Sequence, residues 1–410
     1  MQINNAFHLT YCTNIHAEKN WETLFTGLQN LLPSIKRQVS PTDHFGLGLR
    51  LSDNSARELL EGKNLLLFKQ WLEGQKIYVF TLNGFPYGNF HQNRVKDDVH
   101  KPDWTTKERV EYTKRLCRIL SVLLPEGMDG GISTSPLSYK PWFYDSPTDK
   151  NKIFKKAAEH LAMVVEEMIS IRRDTGKILH VDIEPEPDGL IEDTDETISF
   201  FQHYLLPEAA NYLTKKTSLS SEEIEKSIKE HIRICYDLCH FALQYEDHKE
   251  AIEKFTKAGI KIGKVQLSSA VSYTFTKNAH EKNLAYDCLE KLDEQTYLHQ
   301  VVQANADKTI SQYPDLSFAL TNFNNPTNLE WRVHYHVPLF TEKFGALNTT
   351  RKDVEKFLTL LQEGLPVTQL EVETYTWEVM PGEFRLDISE SIAKELLWVR
   401  ERLEIKEKVK

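Results

Sequence analysis

The stretch 231–241, HIRICYDLCHF, opens polar and then alternates Ile232, Ile234 and Tyr236, the period-two pattern of a buried strand. At its C-terminal end it delivers Asp237 and, three residues later, His240. A carboxylate and an imidazole just past a strand end are where a parallel α/β enzyme keeps metal ligands. The same pair also reads as a capping Asp beside a packed His. The neighbouring runs decide between the two.

Working outward, strand-like runs recur on both sides. Upstream lie 178–184 (ILHVDIE, stopped by Pro185 and Pro187), 130–134, 76–83 (KIYVFTLN), 45–51 (FGLGLRL) and 6–12. Downstream lie 261–267 (KIGKVQL), an extra run at 332–340 (RVHYHVPLF) and an eighth at 367–374 (VTQLEVET). Helical spacing fills the gaps at 21–35, 152–173, 251–258 and 389–403. Ser55-x-x-Glu58, Thr105-x-x-Glu108 and Ser220-x-x-Glu223 read as capping boxes. Eight strand–helix units predict a (β/α)8 TIM barrel of class α/β over residues 1–410, one domain with a partly helical insertion at about 269–331. A doubly wound sheet fits the alternation too, but calls for a glycine-rich loop after the first strand. Here that turn is TNIHAEKN, without glycine.

Composition narrows the function classes. The formal net charge of −10 and a pI near 5.9 argue against a broad nucleic-acid footprint. Five scattered cysteines (12, 117, 235, 239, 288) form no paired zinc pattern and suit a reducing compartment. The N-terminus lacks the basic and apolar regions of a signal peptide, and no apolar run approaches the ~20 residues of a membrane helix. A cytoplasmic location without membrane insertion is the expectation.

On a barrel, the strand ends form a ring of candidate side chains. They are His8, Asn83, Glu184, Asp237 with His240, Gln266, His334 and His336 on the extra strand, and Glu371 and Glu373 on the eighth. Residues two apart share a face, so His334 points with His336 and Glu371 with Glu373. Each has a plainer reading: Glu184 as a turn cap, the histidines as core packing, Glu371 as a salt-bridge partner, Gln266 as a structural or substrate-binding amide. Burying several carboxylates and imidazoles together is costly unless a cation compensates them. That donor set suits Mn²⁺, Mg²⁺, Zn²⁺ or Fe²⁺, as a Lewis acid or an activator of water, with a second carboxylate as general base. Around the mouth, Phe85, Tyr87, Phe90, Tyr375 and Trp377 suit an apolar or aromatic ligand, and Arg94, Lys96 and Arg332 form a scattered basic stripe.

CYDLCHF resembles the Asp-x-x-His segment of the xylose isomerase-like TIM barrels, which include endonuclease IV and the sugar (phosphate) isomerases and epimerases. Ile183-Glu184-Pro185 resembles their fifth-strand Glu-Pro, and Val372-Glu373-Thr374 their eighth-strand Glu. FHLTYCTNIH, TLNGFPYG, HVDIEPEPDG, CYDLCHFA, HYHVPLF and LEVETYTWEVMP together resemble the EboE-like family of metabolite traffic proteins, from residue 7 to 381. The resemblance implies Glu184, Asp237 and Glu373 as carboxylate ligands, with His240 their companion. It places His334-x-His336 where the endonuclease branch carries Asp-x-His. Gln266 departs from the histidine of most relatives, which argues against a complete trinuclear zinc site. In the epimerases two glutamates are both ligands and acid/base groups, so Glu184 and Glu373 inherit that role.

The expected function is that of a metal-binding isomerase or epimerase of a small polyhydroxylated or carbonyl metabolite, with His8, Asn83, Phe85, Tyr87, Arg332 and Trp377 as substrate contacts. The ebo cluster, associated with moving a small metabolite toward the periplasm, implies partners encoded beside it. The alternatives are a carrier that keeps the ring without turnover, and an endonuclease IV-like phosphoesterase.

Overall fold

Eight parallel strands form the centre of the computed structural model, which describes residues 1–16, 18–88, 95–143, 147–378, 380 and 387–404. In chain order they are β1 (Phe7–Tyr11), β2 (Phe45–Arg50), β3 (Ile77–Asn83), β4 (Gly130–Thr134), β5 (Leu179–Ile183), β6 (Ile232–Asp237), β7 (Ile262–Leu267) and β8 (Gln369–Val372). The sheet runs β1-β8-β7-β6-β5-β4-β3-β2, and Gln2–Ile3 adds a short antiparallel pairing outside β1. Between β1 and β2 the ladder reduces to one parallel bridge, Cys12 to Gly48. Threonine hydroxyls complete that seam. Thr10 Oγ1 donates to Gly46 O (2.8 Å) and accepts from Gly48 N (2.9 Å), and Thr13 Oγ1 accepts from Arg50 N (2.8 Å).

The strands read as near-continuous apolar runs because helices cover their outer face. Val181, Ile183, Ile234, Tyr236, Val265 and Leu267 are all buried. The helix Lys107–Leu123 buries Val110, Leu116, Ile119 and Leu120, each such side chain contributing about 1.5–3 kcal/mol. Inside, the barrel departs from the usual layers of branched aliphatics. A charged layer holds Asp182, Lys264 and Glu371, all fully buried, with Lys264 Nζ 2.5 Å from Glu371 Oε2. Gly48 makes room for it: a β-carbon there would collide with Glu371 Oε1.

Of three expected capping boxes, two are corrected. Ser55 does not open its helix; Ser52 caps Asp53–Leu60, and Gly62 at φ +55° separates it from Asn64–Gly74. Thr106, not Thr105, caps the next helix, because Thr105 is turned to Asp103. The third box, Ser220 with Glu223, is present in both directions.

The insertion is mainly a second, antiparallel sheet, in the order 310–313, 301–305, 328–336, 270–274, 347–349 and 343–344. The extra strand spans Asn328–His336 rather than 332–340. Pro338, which has no N–H to donate, follows it closely. This sheet leaves the barrel directly after β7 and brings its longest strand back over the barrel mouth.

Candidate metal centre

The C-terminal strand ends place four carboxylates on one cavity or directly beneath it. β5 runs into Glu184-Pro185-Glu186-Pro187, where each proline holds the preceding residue extended. Glu184 and Glu186 both line the cavity. Asp237 ends β6 and caps the helix Leu238–Leu243. Its Oδ1 accepts from Cys239 N (2.7 Å) and the Ser268 hydroxyl, while Oδ2 has no hydrogen-bond partner. Glu373 follows β8; Oε1 accepts from Asn14 Nδ2 (2.8 Å) and Asn83 Nδ2 (3.1 Å), and Oε2 from Gln266 Nε2.

Three histidines complete the ring, and their hydrogen bonds fix their tautomers. His240 Nδ1 donates to Pro185 O (3.0 Å), His336 Nδ1 to Glu373 O (2.7 Å), and His334 Nδ1 to Gln300 Oε1 (2.8 Å). Gln300 Nε2 is spent on Pro187 O (3.2 Å), so its oxygen faces His334. Every Nε2 is therefore a bare lone pair directed inward. His240 Nε2 and His334 Nε2 stand 3.2 Å apart, and His336 Nε2 has no partner. Two lone pairs at that distance repel unless a proton or a cation lies between them. An imidazole with Nδ1 pinned to an oxygen is the arrangement metal-ligating histidines adopt.

Four overlapping groups can each bring three ligand atoms within 4.8 Å of one another. They are Glu184–Asp237–Glu373, Asp237–His240–His336, Glu186–His240–His334 and Cys239–His334–His336. Burial first, then neighbouring carboxylates, raises Glu184, Glu186 and Glu373 well above the usual carboxyl range. Burial also lowers His240, takes His336 down to about 4 and His334 well below its ordinary value. Carboxyls that resist ionisation and imidazoles that resist protonation are the state a divalent cation would relieve, displacing carboxyl protons as it binds. The donor set fits such an ion.

Of the other sequence candidates, Asn83 and Phe85 line the cavity, and Gln266 lies beneath Glu373 as an amide donor that also accepts from Cys235 Sγ (2.7 Å). Glu371 is the salt-bridge partner of Lys264. Four candidates lie elsewhere. His8 is the second residue of β1, at the opposite end of the strand, bonded to Tyr78 Oη (2.9 Å); Asn14, beyond the strand's other end, reaches Glu373 instead. Tyr87 donates to Asp53 (2.9 Å), Arg332 pairs with Glu330 (2.8 Å) and covers the Tyr245 ring, and Trp377 packs into the core. Lys96 is held by Asp315 (2.5 Å) at the cavity edge. Phe90 and Arg94 lie outside the described residues.

The sequence reading missed Asn14, Glu186, Cys239, His100 and Gln300. Period two from Glu184 pointed to Glu186. His100 had no such signal: it sits on a short turn after β3, stacked on Tyr139, with Nε2 3.4 Å from Glu186 Oε1.

No protein-family model and no curated protein matches the chain. Among solved structures, it is similar to a D-tagatose 3-epimerase-like protein, at 11% identity and TM-score 0.50 over 97% of both chains. It is also similar to a xylose isomerase-like TIM barrel protein from Mycobacterium smegmatis in complex with magnesium, at 10% identity and TM-score 0.49 over 98% of both. A third is the IolI protein with a zinc atom, at 12% and 0.46, over 97% of this chain and 98% of that one. At such identities the likeness concerns the fold. With the strand order found here, the likeness to the D-tagatose 3-epimerase-like structure establishes that the chain folds as a (β/α)8 TIM barrel.

Proposed function

We propose that this chain is a divalent-metal-dependent isomerase or epimerase acting on a small polyhydroxylated or carbonyl metabolite. The observation that carries the reading is the convergence of Glu184, Asp237 and Glu373, within 4.8 Å of one another, beside imidazoles that present only Nε2. These three carboxylates would hold the ion. When bound, Mn²⁺, Mg²⁺, Zn²⁺ or Fe²⁺ supplies Lewis acidity toward a carbonyl or enediolate oxygen.

The protein's own groups supply the rest. Asp237, fixed by the Cys239 N–H and the Ser268 hydroxyl, is a positioning ligand. Glu184, whose Oε2 has no partner, takes the proton from the carbon next to the carbonyl. Glu373, held by three amide donors, delivers a solvent-derived proton in its place, and Glu184 passes the abstracted one to solvent. Asn83 and Phe85 contact the substrate, and the wall of Phe85, Pro86, Val95, Val99 and Leu298 excludes water.

We place this activity in the cytoplasm, in one domain with its 269–331 insertion. We further propose an EboE-like role beside cluster-encoded partners, on the resemblance of segments between residues 7 and 381 to that family. The apolar wall also favours a second reading, a carrier that holds a metabolite without turnover. No helix among the described residues is long and apolar enough to cross a membrane, and the net charge of −10 weighs against the phosphoesterase alternative.

The test is solvent exchange. Metal-loaded protein in heavy water, offered ketoses, aldoses and their phosphates, should place deuterium at the carbon next to the carbonyl. Glu184→Gln and Glu373→Gln should each slow this at least ~10²-fold, the usual scale of a lost general acid or base. Binding without exchange across the panel would replace the enzyme by the carrier.

A further inference from the structure

The cavity is polar at a second place, away from the carboxylate trio. Glu184 Oε1 stands 3.8 Å from His240 Nδ1, and His240 Nε2 stands 3.9 Å from Glu186 Oε2. Glu186 Oε1 is in turn 3.4 Å from His100 Nε2, longer than a well-formed hydrogen bond. Both residues line the cavity, Glu186 at 5% and His100 at 1% exposure, and Glu186 Oε1 has no hydrogen-bond partner. A buried polar atom left in that state costs free energy until a ligand satisfies it. His100 is fixed by aromatic neighbours, stacked on Tyr139 with ring centres 5.0 Å apart and 5.5 Å from the Phe85 ring. We propose that the substrate is an uncharged polyhydroxylated compound whose far hydroxyl lies between His100 Nε2 and Glu186 Oε1, its carbon chain against Phe85, and that a phosphate ester at that end is excluded.

The exclusion follows from charge. Among the described residues, Lys96 is the one lysine or arginine on the cavity, and Asp315 (2.5 Å) and Glu294 O (3.2 Å) already engage its ammonium. Burial takes the His100 imidazole down to about 3, so it is neutral and adds no cation. A phosphate there would lie between the Glu186 carboxyl and the apolar wall without a counter-charge, and burying an uncompensated charge is costly. A hydroxyl instead donates to Glu186 Oε1 while accepting from His100 Nε2, and so satisfies both groups. Which end of the compound reacts rests on the isomerase or epimerase reading; the selectivity itself needs no turnover.

Equilibrium binding tests it. Full-length protein loaded with Mn²⁺ is titrated by calorimetry with ketohexoses and aldohexoses, each beside its terminal phosphate ester and its terminal deoxy analogue. Uncharged sugars should bind, and their phosphate esters should bind at least ~10-fold more weakly. His100→Phe keeps a ring on Tyr139 but offers no hydrogen bond. It should weaken the parent sugars ~10-fold and leave their deoxy analogues unchanged. Should that variant fail to fold, Glu186→Ala serves in its place, with the same pattern expected. A phosphate ester bound as tightly as its parent sugar overturns the proposal, as does a panel in which no uncharged sugar binds. Equal losses for parent and deoxy analogue in His100→Phe overturn it too, because a packing defect does not tell the two apart. Selective binding of uncharged sugars without deuterium exchange would uphold the subsite and count against the catalytic reading alone.

Discussion

Glu373 connects more of the centre than any other side chain. Its carboxylate receives three amide donors, and its own carbonyl oxygen fixes the His336 tautomer. Glu184, Asp237, His240 and Glu373 were legible because they end strands in a barrel, and strand ends are what a period-two pattern locates. Asn14, His100 and Gln300 were not, because they reach the site from loops and from the second sheet, whose paths no local periodicity encodes. A nearby carboxyl gives a residue-scale prediction. Glu395, buried and accepting from Leu339 N (3.0 Å) and Thr374 Oγ1 (2.8 Å), is pushed up to about 7 by burial. Its folded pKa exceeds the unfolded one, so its contribution is full below about 4.5 and is lost as pH rises through 7. A shift of that size corresponds to roughly 3 kcal/mol at most. Glu395→Gln, which keeps the acceptor, should therefore melt higher than the parent at pH 8 and converge with it near pH 4.5. Parallel melting curves across that range would refute the assignment.

At the scale of elements, β7 and β8 are tied through the barrel interior by Lys264 and Glu371. Removing one partner leaves a buried charge, so Lys264→Met should cost about 3–5 kcal/mol in urea unfolding, and Lys264→Met with Glu371→Leu should recover most of it. A double variant no more stable than the single would show that the pair does not act as a unit. The barrel strands themselves were readable within a residue or two, and β4 and β6 match their expected bounds. Helix starts were less so. Ser220-x-x-Glu223 caps as its spacing suggests, but Ser55 and Thr105 yield to Ser52 and Thr106, since a capping pattern matches several neighbouring hydroxyls and the tertiary fold chooses one. The second sheet was obscured for a different reason. Its pairings are long in sequence, joining 270–274 to 328–336, and only the latter strand stood out.

For the molecule as a whole, the barrel follows from the alternation of eight strands and helices, and the second sheet adds the imidazole wall. Neither half alone makes the centre: the carboxylates come from β5, β6 and β8, and His334 and His336 from the strand returned over the mouth. A cation held by the barrel carboxylates and reached by an imidazole of the second sheet would join the two sheets, so chelation should lower the melting temperature and divalent metal should restore it. Ligand saturation at about 1,000 times Kd is worth roughly 4 kcal/mol. Affinity should also fall as pH drops, because raised carboxyls must lose protons to ligate. An unchanged melting temperature with and without chelator would mean that nothing bridges the sheets. The most direct test is elemental analysis of the purified protein beside a Glu184→Gln/Glu373→Gln variant. Near-stoichiometric divalent metal is expected in the parent and less in the variant; a parent without bound metal, even after incubation with Mn²⁺, Mg²⁺, Zn²⁺ and Fe²⁺, would contradict a metal centre at these strand ends.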